Sequence, residues 1–178
     1  MLDFTDTDMD KITDKIYVGN IGAAKDTNNL KKEGIKKILS VMEKYAPNYK
    51  REDNLIQKII EVADCPEENI IKYFGECLAF IEGNQKVLIH CMGGSSRSPS
   101  IAIAYIMWKY KLSFNASFNF VNSKRPYIFP NAGFINQLQL FEYLLKKYSY
   151  DIARIDFGNI KLKRNLINNY NWNLNIIQ

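Results

Sequence analysis

The chain has one histidine, three cysteines and five prolines in 178 residues. A single histidine leaves no imidazole pair to share a metal. Cys65, Cys77 and Cys91 contain no Cys-x-x-Cys pair, so no metal site is expected. Three is an odd number and the spacings fit no disulfide framework; free thiols in a reducing compartment fit better. Long apolar runs are missing too. The longest strongly apolar stretch, Ile101 to Trp108, is far too short to cross a bilayer, so no membrane association is expected. The N-terminus carries Asp3, Asp6, Asp8 and Asp10, the opposite of a signal peptide's basic start. No basic stripe with interleaved aromatics is present, and no nucleic-acid partner is expected. There is no internal repeat. These absences point to a soluble cytoplasmic protein, with the nucleus also open to it.

What is present can build a core. The chain is 47% apolar and 13% aromatic, and its length fits one domain. The net charge of +5 suits acidic, phosphorylated partners, although the lysines are scattered and equally fit a chain with no specific partner. Residues 1–11 read as a loosely held acidic segment. Strands are expected at Ile12–Val18, Ile35–Val41, Leu55–Val62 and 86–90. Helices are expected at 21–33, from Pro66 to about Glu82, from the end of the 91–97 loop to about Lys109, from Ser113 through Ser123, and over 133–148. Strands and helices alternate in the first half, and helices follow one another in the second. This predicts an α/β fold: a central mixed, mostly parallel sheet flanked by helices, with a helical layer in the C-terminal half. The domain is expected over 12–150. Residues 151–178 are asparagine-rich and read either as an added strand or helix or as a linker.

The most informative stretch is His90-Cys91-Met92-Gly93-Gly94-Ser95-Ser96-Arg97-Ser98. It joins the buried strand Lys86–Ile89 to an apolar helix. A loop of small residues between strand end and helix start turns its N–H groups inward, and the helix N-terminus adds partial positive charge. That is a phosphate cradle formed by Met92, Gly93, Gly94, Ser95, Ser96 and Arg97, with Cys91 as nucleophile at its floor. Five residues between Cys91 and Arg97 let the loop curl so that the arginine returns over the cysteine. Its planar fork can then hold two phosphate oxygens at once.

His90-Cys91-x-x-Gly94-x-Ser96-Arg97-Ser98 resembles the signature of the cysteine-dependent protein tyrosine phosphatase superfamily, and specifically its small, atypical dual-specificity branch. Tyr17-Val18-Gly19-Asn20 resembles that family's first-strand segment. Val62-Ala63-Asp64 followed by Asn69-Ile70 resembles its general-acid loop, and Arg125-Pro126 with Pro130-Asn131-Ala132-Gly133-Phe134 resembles the segment after the signature helices. The likeness covers roughly residues 12–148.

The resemblance implies a two-step phosphoryl transfer with no metal or organic cofactor. Cys91 attacks phosphorus and Asp64 protonates the leaving oxygen; Asp64 then acts as base on the hydrolytic water. Arg97 and the loop amides stabilise the equatorial oxygens. Ser98 is expected to hydrogen-bond the Cys91 sulfur, Asn131 to hold the loop's shape, and His90 to orient the loop from beneath. Glu61, Glu67 and Glu68 are neighbouring alternatives to Asp64. Ser98 could also cap its helix, and Asn131 could be a plain turn residue. Cys65 beside Asp64 reads either as a small packed side chain or as a redox partner of Cys91, and Cys77 reads as core.

Within the loop, positions 92–96 carry no Lys, Arg or His. Relatives acting on inositol lipids or RNA 5′-triphosphates place basic groups there, so a single phosphomonoester on a protein is expected. The short stretch before the signature leaves little room for the long aromatic loop of tyrosine-only relatives, which implies phosphoserine and phosphothreonine as substrates beside phosphotyrosine. The rival expectation is an adaptor of the same fold that grips a phosphoprotein without hydrolysing it. The sequence fixes no oligomeric state.

Overall fold

Lys86–His90 is apolar at every position but its ends, the mark of a strand covered on both faces. In the computed structural model, which describes residues 8–160 and Leu162, it is the central strand of a five-stranded sheet. In chain order the strands are β1 (Met9–Lys11), β2 (Ile16–Gly19), β3 (Ile35–Val41), β4 (Ile56–Ile60) and β5 (Lys86–His90). Their spatial order is β1-β2-β5-β3-β4. β2, β5, β3 and β4 run parallel, and β1 pairs antiparallel with β2. Period-two alternation divides the strand side chains between two cores. Ile16, Val18, Leu39, Val41, Val87 and Ile89 face the larger one, while Tyr17, Ile38 and Leu88 face the smaller.

The smaller core lies under α1 (Ile21–Lys25) and α2 (Thr27–Glu33). A single helix over 21–33 was expected. Asp26 divides it: its backbone N–H closes α1 on Gly22 and Ala23, and its carboxylate accepts from Asn29 N–H to start α2. The larger core lies under α3 (Phe74–Ile81), α4 (Arg97–Tyr110), α5 (Phe114–Lys124) and α6 (Ala132–Lys147). α4 is buried from Ser98 through Met107, so it is the helix around which the layer packs.

Three further expectations are corrected. Met9–Lys11 belongs to the sheet, not to a loose acidic tail. The strand expected from Ile12 begins only at Ile16, because Thr13 Oγ1 accepts from the N–H groups of Lys15 and Ile16 and turns the chain into the β1–β2 hairpin. The helix expected from Pro66 begins at Phe74, after a tight turn at Ile71–Tyr73. Gln137 of α6 accepts from Ile71 N–H and donates to Glu68 O there, taking the place of earlier helical hydrogen bonds. Packing also continues past residue 150. Ile155 is buried, the Phe157 ring lies 6.0 Å from that of Phe141, and Asn69 Nδ2 donates to Ile160 O. The expectations for the tail beyond Leu162 lie outside the described residues.

Candidate active site

The loop 91–97 leaves the carboxyl end of β5 and enters α4, the position where parallel sheets place ligands. Its carbonyls are held by the scaffold. Cys91 O faces His90 Nδ1 at 3.3 Å, and Met92 O accepts from Ile21 N–H at 3.1 Å. Gly94 O accepts from Arg125 Nε at 2.8 Å, and Ser95 O from Phe129 N–H at 2.6 Å. Ser96 O accepts from Ser100 through both its N–H and its hydroxyl. The described residues contain no cis peptide bond, so each N–H points opposite to the carbonyl before it. Carbonyls bound outward therefore turn the N–H groups of Met92, Gly93, Ser95, Ser96 and Arg97 into the loop. The Gly94 N–H donates to Cys91 Sγ at 3.2 Å. Gly94 has φ of 69°, and a Cβ there would meet Arg125 Nη2 at 2.5 Å and the Gly19 carbonyl carbon at 2.7 Å, so only glycine fits.

Cys91 is buried at the loop's floor, and Ser98 Oγ also donates to its sulfur at 3.2 Å. Two donors and the start of α4 thus converge on Sγ. Cys77 is the contrast: burial on the apolar face of α3 pushes its thiol up, and it stays protonated. Cys65 is half-buried.

Arg97 extends from the first turn of α4 toward the segment after β4. Its Nη1 donates to Val62 O at 3.1 Å, and its Nε lies 3.6 Å from Asp64 Oδ2. That Nε is buried and has no hydrogen-bond partner. A cationic donor left unsatisfied beneath the surface is disfavoured unless an anion completes it. Asp64 is drawn onto the loop. Its Oδ1 accepts from Ser96 Oγ at 2.6 Å and from Asn131 Nδ2 at 3.0 Å. Asn131 also caps α6 through Phe134 N–H, and its own N–H donates to Ser96 Oγ. It therefore joins the acid segment to the loop as well as bracing the loop.

His90 lies under the loop, fully buried. A carbonyl only accepts, so Nδ1 carries the proton toward Cys91 O. Nε2 then accepts from Ser40 Oγ at 2.7 Å, and Ser40 Oγ accepts from Gln57 Nε2. Burial lowers its pKa to about 4, the Arg97 charge adds to the effect, and the Cys91 carbonyl only partly opposes it. The ring is neutral near neutral pH and holds shape without moving protons.

Cys91, Arg97, Asp64, Ser98, His90 and Asn131 meet in this one place, while Cys77 lies in the core. Several of the site's supports have no local sequence signal: Ser40, Gln57, Ile21, and Phe129, a residue 81% exposed beside the loop; Arg125 stood out only as part of the segment after the signature helices. No group of His, Cys, Asp or Glu that could hold a metal ion occurs among the described residues. No helix among them is long and apolar enough to cross a membrane.

Comparison with known proteins agrees with this geometry. Residues 16–154 match the family described as "Dual specificity phosphatase, catalytic domain". The chain is 37% identical over 139 residues to Dual specificity protein phosphatase 1B of Arabidopsis thaliana, covering 76% of this chain and 82% of that protein. It is 43% identical over 136 residues to the MAP kinase phosphatase with leucine-rich repeats protein 2 of Dictyostelium discoideum, covering 75% of this chain but only 19% of that longer protein. The crystal structure of DUSP15 superposes with a TM-score of 0.75 at 31% identity, over 86% of this chain and 96% of that one. With its cysteine loop, the Asp64 segment beside it and the parallel sheet in place, the chain belongs to the dual specificity phosphatase family and is a protein phosphatase of that kind.

Proposed function

We propose that the chain hydrolyses phosphotyrosine, phosphoserine and phosphothreonine monoesters on proteins through a cysteinyl-phosphate intermediate. Cys91 Sγ, as the anion, attacks phosphorus in line with the ester oxygen. The S–P bond forms, the P–O bond breaks, and the leaving oxygen takes a proton from Asp64. Oδ1 of Asp64 already accepts two hydrogen bonds, so Oδ2 is the oxygen left to give and take the proton. A water then attacks phosphorus, Asp64 takes its proton, and the S–P bond breaks to return the sulfur anion and inorganic phosphate. Ser98 Oγ–H stabilises that departing sulfur. The inward N–H groups and the Arg97 fork meet the charge on the equatorial oxygens throughout.

The observation that carries this reading is the orphaned, buried Arg97 Nε at the end of a loop in which the carbonyls of Cys91, Met92, Gly94, Ser95 and Ser96 are bound by the scaffold. Loop positions 92–96 bring no further cation, which favours a single phosphate over a polyphosphorylated substrate. Cys91, Arg97 and Asp64 together leave nothing that favours a non-hydrolysing adaptor. The test is turnover of phosphotyrosine, phosphothreonine and phosphoserine peptides by the parent and by Cys91→Ser. All three peptides are turned over by the parent and none by the variant. Turnover of phosphotyrosine alone would refute the dual specificity, and turnover by Cys91→Ser would refute the mechanism.

A further inference from the structure

Arg125 is the largest fully buried side chain among the described residues, and it lies directly behind the phosphate loop. Its Nε donates to Gly94 O. Its other nitrogens are taken by two carboxylates at the start of the described chain, Asp8 just before β1 and Asp10 within it: Nη2 to Asp8 at 2.6 Å, and Nη1 to Asp8 at 3.0 Å and to Asp10 at 2.7 Å. Tyr127 stacks on the guanidinium, with Arg125 Cζ 4.5 Å from the ring centre, and its hydroxyl donates to both carboxylates. Burial alone would raise the Asp8 carboxyl, yet the bonds from Arg125 and Tyr127 bring it below its usual range. Asp8 is also tied by its backbone to the β2–α1 turn: Asn20 N–H donates to Asp8 O at 2.9 Å, and the next residue, Ile21, holds Met92 O.

We propose that Asp8 and Asp10 are positioning residues for the phosphatase reaction, acting through Arg125 on the Gly94–Ser95 peptide of the phosphate loop. Gly94 lies in the left-handed region and has no Cβ, so this peptide is the one the loop itself restrains least. Arg125 Nε fixes its carbonyl outward, and so aims Ser95 N–H at the phosphate oxygens. Arg125 can do this only while its other nitrogens are neutralised. Without the carboxylates, a buried guanidinium would reorient toward water and release Gly94 O. The strand that reads as a loose acidic segment is thereby a part of the anion site's frame.

The inference rests on the reading of 91–97 as the phosphate loop. It is tested in the full chain with Asp8→Asn and Asp10→Asn, measuring kcat and KM on an aryl phosphate, affinity for orthovanadate, and melting temperature. Loss of one aligned oxyanion donor predicts a fall of about tenfold or more in kcat, with a parallel loss of vanadate affinity and a smaller change in KM. Asp10→Glu restores part of both. Val121→Ala, a cut in the core at α5, serves as the control for stability alone: it lowers the melting temperature and leaves kcat and vanadate affinity unchanged. Should an Asp variant fail to fold, Tyr127→Phe takes its place, since it removes the hydroxyl's bonds without uncovering a charge; a two- to threefold fall is expected. Variants that melt earlier yet keep the parent's kcat and vanadate affinity overturn the inference. A parent with no turnover would defeat the proposed function, whereas vanadate affinity still decides this inference.

Discussion

Asp64→Asn isolates the proton from the fold. The amide is nearly isosteric with the carboxylate, and its oxygen can still accept from Ser96 Oγ and Asn131 Nδ2. What is lost is the side chain's capacity to give a proton and the pairing with Arg97 Nε at 3.6 Å. That pair is stretched and Asp64 is about a third exposed, so the stability change is expected within ~1 kcal/mol. The chemical loss is larger: general acid catalysis contributes about 10²–10⁴-fold, or ~3–5 kcal/mol of barrier. Its size depends on the leaving group. Serine and threonine oxygens are strongly basic and need the proton, so phosphothreonine peptides should show the full loss. A nitrophenolate leaves unaided, so its ester should lose far less. The assay is kcat on both substrates for the parent, Asp64→Asn and Glu67→Gln, with urea unfolding to confirm equal stability. Equal loss on both substrates, or full activity in Asp64→Asn with loss in Glu67→Gln, would refute the assignment.

Three further outcomes follow from distances and burial. Ser98→Ala removes one of the two donors to Cys91 Sγ and should slow breakdown of the phospho-enzyme by about tenfold to a hundredfold, with a burst of product in rapid-mixing kinetics; a rate equal to the parent's, without burst, speaks against the role. Because the buried His90 has a folded pKa of about 4 against 6.5 unfolded, the unfolded chain binds the extra proton between those values. Stability should therefore fall as pH drops from about 6.5 to 4, by ~3 kcal/mol in urea unfolding, and His90→Asn should flatten that part of the curve. Gly133→Ala would drive a Cβ into Pro66 O, a backbone atom two residues from Asp64. It should displace the acid segment and lower kcat at least tenfold, unlike Gly75→Ala, whose Cβ meets the Phe157 ring at 2.8 Å; equal effects of the two on kcat would show that Pro66 yields freely.

Several segments whose structure is decided by their own residues were legible, although the helix break at Asp26 and the turn at Thr13, both local, were not. β5 is a short apolar run, α4 an apolar run twice as long, and the small residues between them have no regular alternative. β3 and Ser113, which accepts from Ala116 N–H at the start of α5, were equally legible. Two of the misreadings have another cause: each depended on a side chain far away along the chain. The onset of α3 is set by Gln137, 66 residues from Ile71. β1 reads as solvent-loving because Asp8 and Asp10 are charged, and their partner Arg125 comes more than a hundred residues later. The same holds at the site. The motif announced Cys91, Arg97 and the loop, but nothing near His90 announces Ser40, and nothing near Gly94 announces Arg125.

The outward-bound carbonyls have a thermodynamic consequence. Holding five N–H dipoles with their positive ends together is unfavourable in itself, and the rest of the fold supplies the restraint. Any tetrahedral oxyanion relieves that repulsion, and it does so only in the native state. Orthophosphate, the reaction's own product, should therefore raise the melting temperature as it occupies the loop and compete with substrate for it, so that turnover reports the surrounding phosphate concentration as well as the substrate's.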